Sequence, residues 1–281
     1  MNDLSHMADS GVGRAFKTIR CQTQVRRVEV CRARDLDFIG EEPLLIRVED
    51  REYSVVMRTP GDELAHVAGF CLGEGMVNDP SDFKSLGYDA NLEPNQVHVW
   101  LTDEAREKAT EVLERKPFVS QTSCGVCGKE MIRDLFQTVE PAQDQFQIPI
   151  EQVFTCMAGL SKTQKYYPRT RGSHASLLFD REGELISFAE DVGRHNGLDK
   201  AIGKAFLEGI LDRVGLLVLS SRISFELVQK ASRAGISIMI SNSRPTALAV
   251  DMGRALNMTL AFPAGDNELI VVCGGHRILG N

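Results

Sequence analysis

The 281-residue sequence has no second pair of closely spaced cysteines, no long apolar run and no excess of basic residues. Only one close pair occurs among its seven cysteines, which argues against the disulfide framework of a small secreted protein. Apolar runs such as GLLVL and LIVVC are too short to cross a bilayer, and the first twenty residues lack the apolar core of a secretory signal. We therefore expect a cytoplasmic protein with reduced thiols and no membrane segment.

A formal net charge of -7 gives no support to general nucleic-acid binding, so any anionic ligand must be held by a local group of cations. With 43% hydrophobic and 25% charged residues, the composition is typical of an ordinary globular protein rather than a disordered one. The length fits one large domain or two moderate lobes, and the pattern favours two lobes.

The first part of the chain mixes strands and helices. After a polar tail at 1–20, the stretch LLIRVEDREYSVVMR predicts two strands joined by a charged turn, and NQVHVWL predicts another. A helix is predicted in TPGDELAHVAGFCLGEG, with Thr59 as its cap and Pro60 at its first position, and Thr102 is predicted to cap the next. Residues 21–115 are therefore expected to form an α+β N-terminal lobe.

From about Ser173 the strands and helices alternate, and the strands are continuously apolar. This alternation predicts an α/β domain whose central strands are parallel and covered on both faces. We place this domain at 116–281, with the cysteine pair in its first segment.

The pair Cys124 and Cys127 lies in TSCGVCGKE, at or just before a predicted helix start. Zinc would need a second half-site, and no His-x-Glu or Cys-x-Glu for a zinc deaminase is present, so no metal site is predicted. Redox exchange, sulfur transfer and thiols without chemistry stay open. Sulfur transfer needs an accessible thiolate and is helped by a second thiol nearby.

Two predicted strands end alike, in SSR at Ser220, Ser221 and Arg222 and in SNSR at 241–244. Because the carboxyl ends of parallel strands meet at one edge, these hydroxyls and guanidinium groups are expected to converge on a phosphate-bearing ligand. The alternative is that Ser221 and Thr246 belong only to helix starts and the arginines face solvent.

A polar cluster, AEDVGRHNGLDK, joins a strand to a helix and contains Arg194 and His195. Such clusters are often only turn formers and caps. His174 opens a predicted strand and is expected to face the same edge.

Taken together, the ordered stretches RTPGDELAHVAGFCLGEGMV, SCGVCGK, GSHA, EDVGRHNGLDK, SSRISFELVQKASRAGI and PTALAVDMGRALNMTL resemble the formate dehydrogenase accessory protein family. The resemblance implies a cytosolic sulfurtransferase that accepts persulfide sulfur from a cysteine desulfurase. It would pass the sulfur to a bis(molybdopterin guanine dinucleotide) molybdenum cofactor before insertion into the formate dehydrogenase apoenzyme. Carried over, Cys124 is the persulfide-bearing position and Cys127 is its partner.

The resemblance also implies a homodimer and a cytidine-deaminase-like second lobe without the deaminase zinc site. Family members usually carry a glycine- and arginine-containing loop before the last strand, whereas this chain has PAGDNE: Pro263, Ala264, Gly265, Asp266, Asn267 and Glu268. Asp266 and Glu268 would repel phosphate, so either Arg222, Arg244 or Arg194 compensates or the cofactor differs. A different class of function, a cofactor-binding chaperone without thiol chemistry, is the alternative.

Overall fold

The computed structural model describes residues 16–23, 32–88, 95–114, 139–265 and 267–280. No helix within them is long and apolar enough to cross a membrane. The architecture is mixed α/β, with one four-stranded and one six-stranded sheet.

A first lobe, residues 42–114, is built on the four-stranded sheet. Its strands, in chain order, are β3 (Glu42–Val48), β4 (Arg51–Arg58), β5 (Phe83–Tyr88) and β6 (Gln96–Leu101), arranged in space as β4-β3-β6-β5. Two helices complete it, α1 (Glu63–Glu74) and α2 (Asp103–Glu114). Alternating burial along β3 and β6 shows that one face of the sheet packs on the core, as the period of two predicts. A separate antiparallel hairpin precedes this lobe, formed by β1 (Phe16–Thr23) and β2 (Arg32–Ile39).

A second lobe, residues 148–280, contains the six-stranded sheet. The elements before the sheet are β7 (Ile148–Pro149), α3 (Ile150–Thr163) and the one-turn helix α4 (Tyr167–Thr170). The sheet and its helices follow as β8 (His174–Asp180), β9 (Leu185–Asp191), α5 (Arg194–Leu207), β10 (Val214–Leu219), α6 (Phe225–Arg233), β11 (Ile238–Ser241), α7 (Ala247–Ala255), β12 (Thr259–Gly265) and β13 (Glu268–Cys273). The short strand β14 (Ile278–Leu279) pairs with β7.

The prediction of central parallel strands is confirmed. The spatial order is β13-β12-β11-β10-β8-β9, in which β10, β11 and β12 are parallel and the outer pairings are antiparallel. Every residue of β10 is buried, because helices α5, α6 and α7 cover one face of the sheet and α3 covers the other.

The two lobes share one hydrophobic core, and its seam is the pair of helices α1 and α5. These helices approach so closely that a Cβ atom at Gly69 would overlap the carbonyl oxygen of Asp199, and one at Gly203 would overlap that of Ala65. Glycine is needed at both positions because only a backbone without side chains allows this separation.

Several details differ from the sequence prediction. Helix α1 begins at Glu63, and Asp62 rather than Thr59 occupies its N-cap position, with a left-handed φ of 58°. Thr59 instead contacts the second lobe, so the predicted cap at Thr59 is wrong. Strand β1 begins at Phe16, inside the range predicted as a polar tail. The positions of the lobe boundaries and the cytidine-deaminase-like description stay predictions.

Candidate functional site

The cysteine pair predicted to carry the chemistry, Cys124 and Cys127, lies outside the described residues, as does Asp266. The other predicted site residues are described. They fall along one edge of the six-stranded sheet, which holds the carboxyl ends of β9, β10, β11 and β12 together with the start of β8.

Backbone and hydroxyl groups join the ends of the central strands at this edge. The Ser220 hydroxyl accepts a hydrogen bond from the amide of Ala175 at 2.8 Å, which ties β10 to β8. The Ser241 hydroxyl donates to the Ser221 carbonyl and accepts from the Ser243 amide at 2.9 Å. Ser221 itself is buried, and its hydroxyl donates to the Arg222 carbonyl at 3.2 Å. These serines shape the two strand ends.

Glu190, the first carboxylate of the EDVGRHN stretch, holds the segment that leads into β8. It is 6% exposed and accepts hydrogen bonds from the amides of Lys165, Tyr166 and Tyr167 at 2.7, 2.9 and 2.7 Å. The Ser173 hydroxyl donates to it at 2.7 Å. With its charge satisfied by these donors, Glu190 fixes the approach to His174.

Asp191, the second carboxylate, connects the two lobes. It is fully buried and accepts from the Lys200 ammonium at 2.6 Å and from the Thr59 amide at 3.0 Å. Lys200 also donates to the Thr59 carbonyl at 2.6 Å, and the Thr59 hydroxyl accepts from the Val192 amide at 3.0 Å. Asn196 bonds Asp191 at 3.0 Å and the Met57 carbonyl at 2.7 Å. The end of β4 is therefore attached to the end of β9.

Arg194, His195, His174 and Arg222, which we call the cationic cluster, remain at the edge. The His195 Nε2 atom lies 2.6 Å from Glu226 and 3.2 Å from the Ser224 hydroxyl. This hydrogen bond from His195 holds the pKa of Glu226 below its usual value. Burial lowers the pKa of His174, and the charges of Arg194 and Arg222 lower it further.

Neither arginine of the cluster forms an ion pair with any carboxylate in the described ranges. The Nε atom of Arg194 is shielded from solvent and has no hydrogen-bond partner among the described residues. Arg222 is exposed. Two guanidinium groups beside a half-buried imidazole, at the ends of parallel strands, are suited to binding an anion such as a phosphate.

The turn from Pro263 to Glu268 lies at the same edge but toward its other end, where β12 meets β13. Ala264, Gly265, Asn267 and Glu268 are exposed, and Asn267 has a φ of 62°. The guanidinium of Arg244 lies 5.7 Å from the centre of the Phe262 ring, next to this turn. Arg244 therefore packs against the residue that precedes the turn, and compensation for Glu268 by an arginine stays a prediction.

Sequence reasoning found most of the cluster but missed its supporting residues. Glu226 and Ser224, which hold His195, come from the start of α6, and Thr59 and Met57 come from the other lobe. For Ser224 and Glu226, the only local indication in the sequence was the helix-start pattern at 224–226. No grouping of three His, Cys, Asp or Glu side chains suited to a metal ion occurs among the residues described.

Comparison with known proteins identifies relatives along nearly the whole chain. A family model described as the FdhD/NarQ family matches residues 39–279. A protein named sulfur carrier protein FdhD from Streptomyces avermitilis is 36% identical over 251 residues, which are 86% of this chain and 88% of that protein. One of the same name from Sulfolobus acidocaldarius is 34% identical and covers 91% of this chain and 99% of its own.

A crystal structure described as a formate dehydrogenase accessory protein from Desulfotalea psychrophila has the same fold. Its TM-score is 0.72 at 21% identity, over 93% of this chain and 99% of that one. The fold defines a mixed α/β protein, and a cluster of two arginines and two histidines lies at the carboxyl ends of its central strands. By the extent of the family match and the identity to its relatives, the chain belongs to the FdhD/NarQ family.

Proposed function

We propose that this protein is a sulfur carrier, a sulfurtransferase that accepts persulfide sulfur from a cysteine desulfurase and passes it to a molybdenum cofactor. The cofactor, bis(molybdopterin guanine dinucleotide), is the substrate and is then inserted into formate dehydrogenase, which requires the sulfur for activity. The observation that carries the proposal is the cationic cluster at the strand ends, in a chain whose relatives are named sulfur carrier protein.

In this proposal Cys124 forms the persulfide. Its thiolate attacks the terminal sulfur of the donor persulfide, the donor S–S bond breaks, and the desulfurase cysteine leaves as a thiolate. Cys127 assists release: its thiolate attacks the Cys124 sulfur, which forms a disulfide and expels the carried sulfur as sulfide to the acceptor. Gly125 follows Cys124 and Gly128 follows Cys127, and neither glycine carries a side chain that would hinder a partner protein.

The cationic cluster binds the phosphates of the guanine dinucleotide in this scheme. Arg194 and Arg222 supply permanent charge and paired donors, and His174 supplies a further donor. His195 is held by Glu226, so its ring orientation is fixed. Ser221 orders the turn that presents Arg222. We also propose a cytoplasmic homodimer and a cytidine-deaminase-like second lobe, with Arg244 offsetting Glu268 in the turn at Pro263.

Mass spectrometry after incubation with a cysteine desulfurase and cysteine tests the role of Cys124. Cys124→Ala is expected to lose the stable persulfide, and cells that carry it are expected to lose formate dehydrogenase activity. Cys273→Ala is the matched control, because Cys273 is half-buried in β13 and has no part in the proposed transfer. Full persulfide loading on Cys127 in Cys124→Ala, with formate dehydrogenase activity in cells unchanged, would contradict the assignment of Cys124 as the persulfide carrier.

The serine and arginine strand ends by themselves also suit a chaperone that only holds and docks the cofactor. The double variant Cys124→Ala, Cys127→Ala separates the two functions in the same cells. A sulfur carrier loses all support of formate dehydrogenase, whereas a chaperone without thiol chemistry retains it.

A further inference from the structure

His174 differs from the two arginines of the cationic cluster in that its charge can change near neutral pH. It opens β8, is partly buried, and pairs in register with Asp191 at the end of β9. Arg194, His195 and Arg222 lie near enough for their charges to act on it. Burial and these neighbours lower the pKa of His174, so they favour the neutral imidazole when no ligand is bound.

The carboxylates around His174 offset these positive charges only in part: Asp191 raises the pKa of His174, but burial and the cations outweigh it, and each carboxylate is engaged elsewhere. Asp191 is bonded to the Lys200 ammonium at 2.6 Å and also accepts from backbone amides. Glu226, from α6, lies 2.6 Å from His195, and Glu190, from β9, is surrounded by amide donors. Among the groups whose charges act on His174, Arg194, Arg222 and His195 disfavour the imidazolium and only Asp191 favours it, so a bound anion would add to the favourable side.

We propose that binding of a phosphate-bearing ligand at this edge makes His174 take up a proton, so that the site adjusts its positive charge to the negative charge it receives. The inference rests on the proposed function for the identity of the ligand. Arg194 and Arg222 stay charged at all relevant pH values and cannot make this adjustment. His174 would thus tune the site toward ligands that carry more negative charge.

Proton uptake has a measurable consequence for the class of ligand. A terminal diphosphate carries more negative charge than a pyrophosphate that is esterified at both ends, as it is in a dinucleotide or a nucleotide sugar. The more highly charged ligand stabilises the imidazolium more strongly, so its binding should make His174 take up the larger fraction of a proton. Affinity should rise as pH falls, by at most about tenfold per pH unit for one proton.

Isothermal titration calorimetry on the full chain tests this with two probes, GDP and GDP-mannose, each in buffers of different ionisation enthalpy near pH 7. The expected result is uptake of up to about one proton with GDP and a smaller uptake with GDP-mannose. His174→Asn should abolish the uptake with both probes while retaining weaker binding. His276→Gln is the matched control and should retain the uptake, because His276 is an exposed histidine outside the cationic cluster.

The buffer dependence of the wild-type protein tests for proton uptake without any variant. His174→Gln provides a second substitution if His174→Asn does not fold. A binding enthalpy that does not depend on the buffer would overturn the inference while leaving nucleotide binding, and so the proposed function, in place. Equal proton uptake by a folded His174 variant would overturn it as well. If the wild-type protein binds neither probe, the ligand site of the proposed function fails together with this inference.

Discussion

At the end of β9, neighbouring residues have separate tasks. The carboxylates of Glu190 and Asp191 are buried and hold other parts of the chain, whereas Arg194 and His195 lie partly exposed at the edge of the sheet. A β-strand points successive side chains to opposite faces, so Glu190 reaches the segment before β8 while Asp191 reaches Lys200 and Thr59. The rigid carboxylate contacts position the residues that are available to a ligand.

Replacement of Asp191 by Asn is expected to destabilise the protein strongly. Lys200 is buried, and without Asp191 its ammonium would lose its charged partner, which typically costs about 3–5 kcal/mol. Denaturant unfolding followed by circular dichroism measures the change. Arg222→Ala is the control, because this exposed arginine has no described ion pair and its loss should change stability by less than about 0.5 kcal/mol. A loss below about 1 kcal/mol in Asp191→Asn would contradict the role of this ion pair.

Among the secondary-structure elements, helices α1 and α5 form the most extensive contact between the lobes. Their close approach at Gly69 and Gly203 brings the backbones together, so the seam is held by backbone packing as well as by apolar side chains. Buried residues on both sides, including Val67, Leu198 and Ile202, continue the core across it.

Substitution of Gly203 by Ala tests the seam. The new methyl group would overlap the Ala65 carbonyl oxygen, and since that atom belongs to the backbone of a helix, α1 must move away from α5. We expect a loss of about 3 kcal/mol or more, or failure to accumulate as folded protein. Gly87→Ala in β5 is the control, because its Cβ would meet no atom within 4 Å. Equal stability of the two variants, measured by thermal unfolding, would show that the helices separate at little cost.

Local patterns in the sequence were sufficient for most elements of the second lobe, where apolar runs and helix caps are regular. Thr246 caps α7 through a hydrogen bond from the Ala249 amide at 3.3 Å, a cap that the helix-start pattern suggested. Thr59 looked like a cap for the same reason, but its amide and hydroxyl bond residues more than 130 positions away. No pattern confined to neighbouring residues could reveal that contact.

The sequence predicted the members of the candidate site but not all of their partners. Arg194, Arg222 and His174 stand at strand ends, and the topology of parallel strands brings such ends together. Ser220 and Ser241 were expected to offer hydroxyls to a ligand, yet each is used by the backbone of a neighbouring strand or turn. The partner of a side chain depends on tertiary packing, which the residue type alone does not determine.

On the scale of the whole molecule, the junction of the two lobes concentrates buried cations. His66, on α1, is fully buried beside Lys200 from α5, Lys230 from α6 and Arg58 from β4. Burial lowers the pKa of His66 well below its usual value, and the nearby lysines and Arg58 lower it further. Lys200, Lys230 and Arg58 each have a carboxylate partner, so the junction tolerates these three cations but is poorly suited to a fourth.

The stability of the folded chain should therefore fall in mild acid. Because the folded pKa of His66 lies below the unfolded value of about 6.5, the unfolded state binds more protons as the pH drops through that value. The contribution is at most about 1.4 kcal/mol per pH unit and develops as the pH falls from about 7 toward 5. His66→Gln cannot take up this proton, so its free energy of unfolding should depend less steeply on pH over that range. Comparing the slopes of the two proteins cancels the contributions of the other titrating groups to the pH dependence. Equal slopes in denaturant unfolding would show that His66 is not the acid-sensitive group at the junction.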